Sequence, residues 1–159
     1  EGVLQSNGGG LVIDSATAVQ FPKYIELSNA TQALDLPTHA GSILIVPAMA
    51  GSSKTYTLPT PVKGAYFRMV YFGKLSGNDD NNVLIRGVDE TIFLHASILH
   101  HDLDQTGQTS DVVYGAADND LITLTAGRGF DLHFIGKNST NWYVWGYALG
   151  TTPITIADG

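Results

Sequence analysis

Residues 130–149 read FDLHFIGKNSTNWYVWGYAL, and this stretch decides the fold class that we predict. Its two ends alternate in side-chain character as β-strands do, and the polar segment GKNSTN between them is typical of a hairpin connection. In the second strand, one face carries Trp142 and Val144. The opposite face carries only aromatic rings, those of Tyr143, Trp145 and Tyr147. We therefore expect one face to enter the core and the other to make a contact.

Residues 65–72, AYFRMVYF, predict a second strand with apolar side chains on both faces. Alternation places Phe67 and Met69 on one face. The other face carries Tyr66, Arg68, Val70 and Phe72. Two such strands in one small domain indicate a trimer or docking on a larger surface. The alternative is that both strands lie in the middle of a sandwich.

The chain from Tyr24 onward consists of short apolar runs separated by Gly, Pro, Asn and Asp, without the spacing of an amphipathic helix. The candidate strands are YIEL, TQALDL, SILIVPA, KTYTL, AYFRMVYF, NVLIRG, TIFLHASIL, DVVYG, LITLTA, FDLHFIG and WYVWGYAL. This pattern predicts an all-β fold, an antiparallel sandwich or barrel of the jelly-roll kind. Residues 91–105 lack Gly and Pro, so a helix is the alternative there and the topology of residues 88–110 stays open.

Two regions make up the predicted organisation. Residues 1–20 include three consecutive glycines at 8–10 and an apolar patch of Leu11, Val12 and Ile13, which predicts an extended arm lying along a surface. A disordered terminus is the alternative. Residues 21–159 are expected to form one domain. Leu-Pro-Thr occurs twice, at 36–38 and 58–60, and each proline marks the end or edge of a strand.

The charge balance excludes several partners. The formal net charge is −7, and the eight Lys and Arg residues are dispersed, so no basic stripe is available for nucleic acid. We find no run of about 18 apolar residues and expect no membrane span. The absence of Cys excludes disulfides and thiolate chemistry. Charged residues make up only 14% of the chain, which leaves a surface able to pack closely against neighbours.

Histidines at 95, 100 and 101 form the cluster with the most suggestive chemistry. In a strand, His95 and His101 share a face about 20 Å apart and cannot bind one ion. In a helix, His100 and Asp104 supply two ligands where a metal site needs three or four. We predict no metal and no cofactor within one chain. A symmetric oligomer that gathers one His per subunit remains an alternative.

Motifs of the common enzyme classes are missing from the sequence. It has no G-x-S-x-G elbow and no H-E-x-x-H helix, and GSSKTYT at 51–57 lacks the order of a phosphate-binding loop. We therefore predict a protein that is not an enzyme and has no catalytic residues. A glycan hydrolase needs only two carboxylates, and with fifteen Asp and Glu residues it stays a minor alternative.

Two segments within residues 51–149 follow one another in a distinctive order, GSSKTYTLPTPVKGAYFRMVYFG and then NDLITLTAGRGFDLHFIGKNSTNWYVWGY. This order of motifs resembles that of small structural proteins of tailed bacteriophages. Many such proteins are head decoration, cement or fibre components that look like trimeric β-sandwiches or barrels. The resemblance implies no catalytic residues. Residues 88–107 depart from the pattern.

These observations predict a homotrimeric capsid decoration or cement protein, located on the virion and bound to the major capsid protein. The expected subunit or capsid contacts are Tyr143, Trp145, Tyr147, Tyr66, Phe72, Leu11, Val12 and Ile13. The alternative is a phage tail or fibre receptor-binding module, in which Trp145, Tyr143 or Tyr66 stacks on sugar rings.

Overall fold

The computed structural model describes residues 23–73, 81–104, 109–125 and 129–159 in full, and only the backbone of residues 3–6 and 11–14. The strands are β1 (Val3–Ser6), β2 (Leu11–Asp14), β3 (Lys23–Glu26), β4 (Gln32–Ala33), β5 (Ser42–Ile45), β6 (Lys54–Thr57), β7 (Tyr66–Tyr71), β8 (Val83–Arg86), β9 (Phe93–Asp102), β10 (Ser110–Tyr114), β11 (Leu121–Leu124), β12 (Gly129–Gly136), β13 (Asn141–Gly150) and β14 (Thr155–Ala157). One short helix, α1, spans Leu36–His39.

Two sheets carry the fold. The seven-stranded sheet has the order β10-β9-β13-β12-β7-β5-β3, and the five-stranded sheet has the order β14-β11-β8-β6-β4. Buried side chains from both sheets form one hydrophobic core. The predicted all-β, sandwich-like fold is confirmed. β1 and β2 pair antiparallel with each other in a separate two-stranded sheet.

The first half of the domain winds through both sheets in alternation. β3, β5 and β7 lie side by side and parallel in the larger sheet, and β4, β6 and β8 do the same in the smaller one. The hydrogen bonds recur from turn to turn. Leu27 N donates to Ile45 O at 2.9 Å, and Val46 N donates to Val70 O at 2.8 Å. The sheets are therefore mixed, not purely antiparallel as expected, because a chain that alternates between two sheets re-enters each in the same direction.

The two Leu-Pro-Thr segments lie in successive turns of this winding. The segment at 58–60 follows β6 and ends it, as predicted. The segment at 36–38 instead lies in α1, which shortens the strand expected at 31–36. Asp35 caps this helix, because its Oδ1 accepts a hydrogen bond from Thr38 N at 2.8 Å, and proline is favourable in a first helical turn. Nowhere in the described ranges does a helix have the length and hydropathy to cross a membrane.

Residues 93–102 form the ten-residue strand β9, so the helical alternative for residues 91–105 is wrong. β9 pairs in parallel with β13 and antiparallel with β10. Its side chains alternate strictly between core and surface from Leu94 to His100. β-branched and apolar residues at the inward positions favour this half-buried strand over a helix, which would have exposed part of that set.

The core confirms the predicted inward faces of the aromatic strands. Trp142 and Phe67 are fully buried with ring centres 5.2 Å apart. The indole Nε1 of Trp142 donates a hydrogen bond to Pro59 O at 3.1 Å, which satisfies the one polar atom of that side chain. Phe134 and Leu132 from β12 complete this layer. The opposite faces of the same strands are consequently directed away from the core.

Candidate functional site

The outer face of the seven-stranded sheet is the most distinctive surface of the described residues. Tyr143, Trp145 and Tyr147 project from it along β13 and are 42–46% exposed. β13 lies between β9 and β12, so the three rings stand well inside the sheet and not at its edge. Within the part of the chain that the structure describes, β13 is therefore buried on one face only. The predicted orientation of the triplet is confirmed.

A close backbone approach at Gly146 supports this row of rings. Gly146 has φ +143° and pairs with Leu132 of β12. A Cβ atom at this position would lie 2.0 Å from Asp131 O. Glycine is therefore required between Trp145 and Tyr147, because any side chain would push β13 away from β12.

A polar network on β7 and β12 borders the aromatic row. Arg68 donates from Nε to Asp131 Oδ1 at 2.9 Å and from Nη2 to Oδ2. This hydrogen-bonded pair lowers the pKa of Asp131 and raises the pKa of Arg68. Tyr66 Oη lies 2.7 Å from His133 Nδ1, and burial raises the pKa of the Tyr66 phenol. The network fixes side chains across two strands and neutralises its own main charges.

His133 also determines the orientation of Trp145. The two residues are direct cross-strand partners, and their rings are stacked with centres 5.3 Å apart and planes 12° apart. One face of the indole is therefore covered by the imidazole. On its other side, Trp145 has Ser97 of β9 as its direct cross-strand partner.

Polar and charged groups surround the third aromatic ring, that of Tyr143. Lys137 Nζ lies 5.1 Å from the ring centre, a cation–π distance. The ring of His95 meets Tyr143 edge-on at 6.0 Å, and its Nε2 lies 2.6 Å from Asn141 Oδ1. These contacts hold Tyr143 in place beside the hairpin connection.

One end of the outer face is apolar. Val112, Leu99 and Tyr147 are direct neighbours on β10, β9 and β13, and all three are exposed. Phe72, which follows β7, is 78% exposed. Tyr147 and Phe72 were predicted as contact residues from the sequence, whereas Leu99 and Val112 were not. We name the four residues Val112, Leu99, Tyr147 and Phe72 the apolar end.

In another row of the outer face, a small residue lies between two aromatic residues. Ser97 of β9 pairs with Tyr114 of β10 on one side and with Trp145 of β13 on the other. Tyr114 is 77% exposed, and Ser97 is also exposed. Tyr114 was not predicted as a contact residue, although the alternation in DVVYG places it on the same face as Val112.

The remaining predicted contact residues have different positions. Tyr66 lies on the outer face but is half-buried and bonded to His133, so its phenol is part of the network. The backbone of Leu11, Val12 and Ile13 lies in β2, and their side chains lie outside the described residues. Their role stays a prediction.

The histidines of β9 do not converge. His95 and His101 face outward, and His101 Nδ1 lies 2.7 Å from Ser110 Oγ. His100 faces inward and is buried, and its Nε2 has no hydrogen-bond partner among the described residues. It lies beside a small cavity lined in part by Phe130, Thr125 and Thr152. The described ranges contain no group of three His, Cys, Asp or Glu side chains that could hold a metal ion.

The outer face therefore combines exposed rings, an apolar strip and hydrogen-bonding groups held by their neighbours. Such a surface suits binding of a partly apolar partner, since amphipathic rings contact both apolar and polar groups. Searches of protein-family models, of curated proteins and of solved structures give no match for this chain.

Proposed function

We propose that this chain is a non-catalytic structural protein, a capsid decoration or cement protein that assembles as a homotrimer on the surface of a virion. The observation that carries the proposal is the apolar end of the outer face. Three of its side chains, those of Val112, Leu99 and Tyr147, are contiguous across three strands, and all four lie exposed in a single chain. The order of motifs in residues 51–149 supports the viral assignment.

A second copy of the chain is the occupant that we propose for the apolar end. Exposed Leu and Val side chains on a strand interior gain about 25 cal/mol for each Å² removed from water, before the costs of association. Neither Leu99 nor Val112 faces a charged direct partner, because Leu99 pairs with Val112 and Tyr147. A self-complementary or cyclic contact could therefore close over this strip without burying an unpaired charge.

Attachment to the major capsid protein is assigned to the N-terminal region, residues 1–20. A decoration protein repeated over a symmetric shell needs only modest contacts per copy, because a trimer binds through three of them at once. The low content of charged residues, 14%, supports close packing of such copies.

The experiment for the trimer is mass measurement by light scattering at micromolar concentration. We expect three times the chain mass of 16.9 kDa for the wild type. The double substitution Leu99→Thr/Tyr147→Thr should give a folded monomer, since Thr keeps strand propensity and removes apolar surface. Tyr24→Thr is the matched control, an exposed ring at the opposite edge of the same sheet, and should remain trimeric. A monomeric wild type would reject the proposed assembly.

The experiment for the capsid contact is deletion of residues 1–20. The truncated chain should keep its trimeric mass and its thermal transition but bind purified phage capsids lacking decoration more weakly. Equal occupancy of the full-length and truncated proteins on those capsids would reject the arm as the attachment element.

A further inference from the structure

We propose that the gap between Tyr114 and Trp145, with Ser97 as its floor, binds one pyranose ring of a neutral glycan. We name these three residues the ring slot. This inference goes beyond the proposed assembly function and uses a different part of the outer face.

The width of the ring slot follows from the sheet. Tyr114 and Trp145 are on β10 and β13, separated by the single strand β9, and both pair with Ser97. Two interstrand spacings separate their backbones by about 9.5 Å. If a flat aromatic ring were stacked between the two side chains, their ring planes would be about 7–8 Å apart. The spacing of the two strands is wider than this, so a puckered sugar ring, which is thicker, fills the space better.

The stack of His133 on Trp145 covers one face of the indole and leaves the other face free for a ligand. Because His133 of β12 stacks on one face of the indole at a ring distance of 5.3 Å, we infer that the uncovered face is turned to the other side, toward β9. Ser97 is exposed and has a small side chain, so its own atoms leave room between the two rings. A ring already held by a stacking partner loses little conformational entropy on binding.

The chemistry of the slot selects a neutral saccharide. The axial C–H groups of a pyranose are slightly positive and pack on the negative face of an aromatic ring. The hydroxyls of Ser97 and Tyr114 can donate to and accept from sugar hydroxyls. None of the three residues is charged, and the net charge of −7 disfavours anionic glycans.

A partner's aromatic side chain is the other occupant to consider. It would be a thinner ring, and it would not use the two hydroxyl groups. The saccharide is favoured because the slot offers a polar floor between two ring faces, whereas the apolar contact surface lies in the next row, at Val112, Leu99 and Tyr147.

The test is binding of the full-length protein to an array of immobilised neutral pyranose oligosaccharides, followed by fluorescence titration with the oligosaccharides that bind. The chain has two Trp residues, and Trp142 is buried, so Trp145 should report binding through a change in emission. We expect Trp145→Ala and Tyr114→Ala each to weaken binding by roughly tenfold or more. Tyr24→Ala, an exposed Tyr on the same sheet, should have no effect.

A variant that fills the ring slot tests the proposal without removing either aromatic ring. Ser97→Tyr leaves both rings in place and fills the floor, so it should abolish binding while the thermal transition stays near that of the wild type. The Leu99→Thr/Tyr147→Thr protein should still bind sugar, which separates this inference from the proposed trimer. Absence of binding to every array glycan would overturn the proposal. Sugar binding that is unaffected by both Trp145→Ala and Ser97→Tyr would also overturn it.

Discussion

The guanidinium of Arg68 and the carboxylate of Asp131 form a two-bonded ion pair across β7 and β12. The carboxylate side chain is only 13% exposed. The direct partner of Arg68 in the sheet is His133, so this ion pair is diagonal and brings three polar residues together beside the aromatic row. It places no net charge next to Trp145 and Tyr147, which leaves the rings available for a neutral or apolar partner.

The Asp131→Asn substitution should lower the free energy of unfolding by about 1–2 kcal/mol at neutral pH, because the charge-assisted bonds to Arg68 are weakened. The pair lowers the pKa of Asp131 in the folded state from the ordinary value of 3.8. Its contribution is therefore complete above pH 3.8 and is lost as the pH falls through the lowered pKa. Urea titrations of both proteins at several pH values measure this.

The Asp111→Asn protein is the matched control, since Asp111 is an exposed carboxylate on β10. It should unfold like the wild type at pH 7. A stability difference between wild type and Asp131→Asn that persisted unchanged at pH 2 would contradict the ion-pair explanation.

The Gly146→Ala substitution should destabilise the domain by roughly 2 kcal/mol or more, since the added methyl meets Asp131 O and the φ of +143° disfavours an L side chain. Gly64→Ala separates the two causes. Gly64 also has positive φ, at +83°, but a Cβ there meets nothing within 4 Å. Thermal or urea unfolding should show a clearly smaller loss for Gly64→Ala. Equal losses would mean that the close approach of β13 to β12 contributes little.

The sequence predicted the strands better than their arrangement. Period-two alternation was enough to orient Trp142 inward and Trp145 outward, because one sheet face is buried and the other is not. Pairing between distant strands has no such local signal. The parallel alignment of β9 with β13 joins segments some 48 residues apart, as in Asn141 with Phe93, and depends on the packing of both sheets.

In the candidate site, too, the orientation of side chains along one strand was predictable, but the pairing between distant strands was not. Tyr143, Trp145 and Tyr147 were identifiable because they are large and occur on one strand. Tyr114 and Ser97 gain their meaning only from the register that places them beside Trp145. A small residue such as Ser97 carries no signal in a sequence, although its size determines the gap.

The Asp120→Ala substitution should lower the free energy of unfolding by about 2–3 kcal/mol, because it removes a buried hydrogen-bond acceptor. Asp120 is fully buried, and its Oδ1 accepts a hydrogen bond from Gly159 N at 2.8 Å. Its Oδ2 lies 3.6 Å from Arg86 Nη2. The carboxylate thus links β8 to the segment after β14. Asp118→Ala, at an exposed position of the same loop, should be nearly neutral in urea titration, and a comparable loss in both variants would refute this link.

A metal chelator should leave the mass of the wild-type oligomer unchanged in light scattering. The two outward histidines of β9 each have one ring nitrogen engaged within the chain, His95 Nε2 with Asn141 Oδ1 and His101 Nδ1 with Ser110 Oγ. Apolar contacts do not respond to chelation, and the apolar end therefore predicts the same mass with and without 1 mM EDTA. Dissociation on chelation would instead indicate that symmetry-related histidines share an ion. His95→Asn and His101→Asn would then identify the ligand, because only the variant lacking it would be monomeric before the chelator is added.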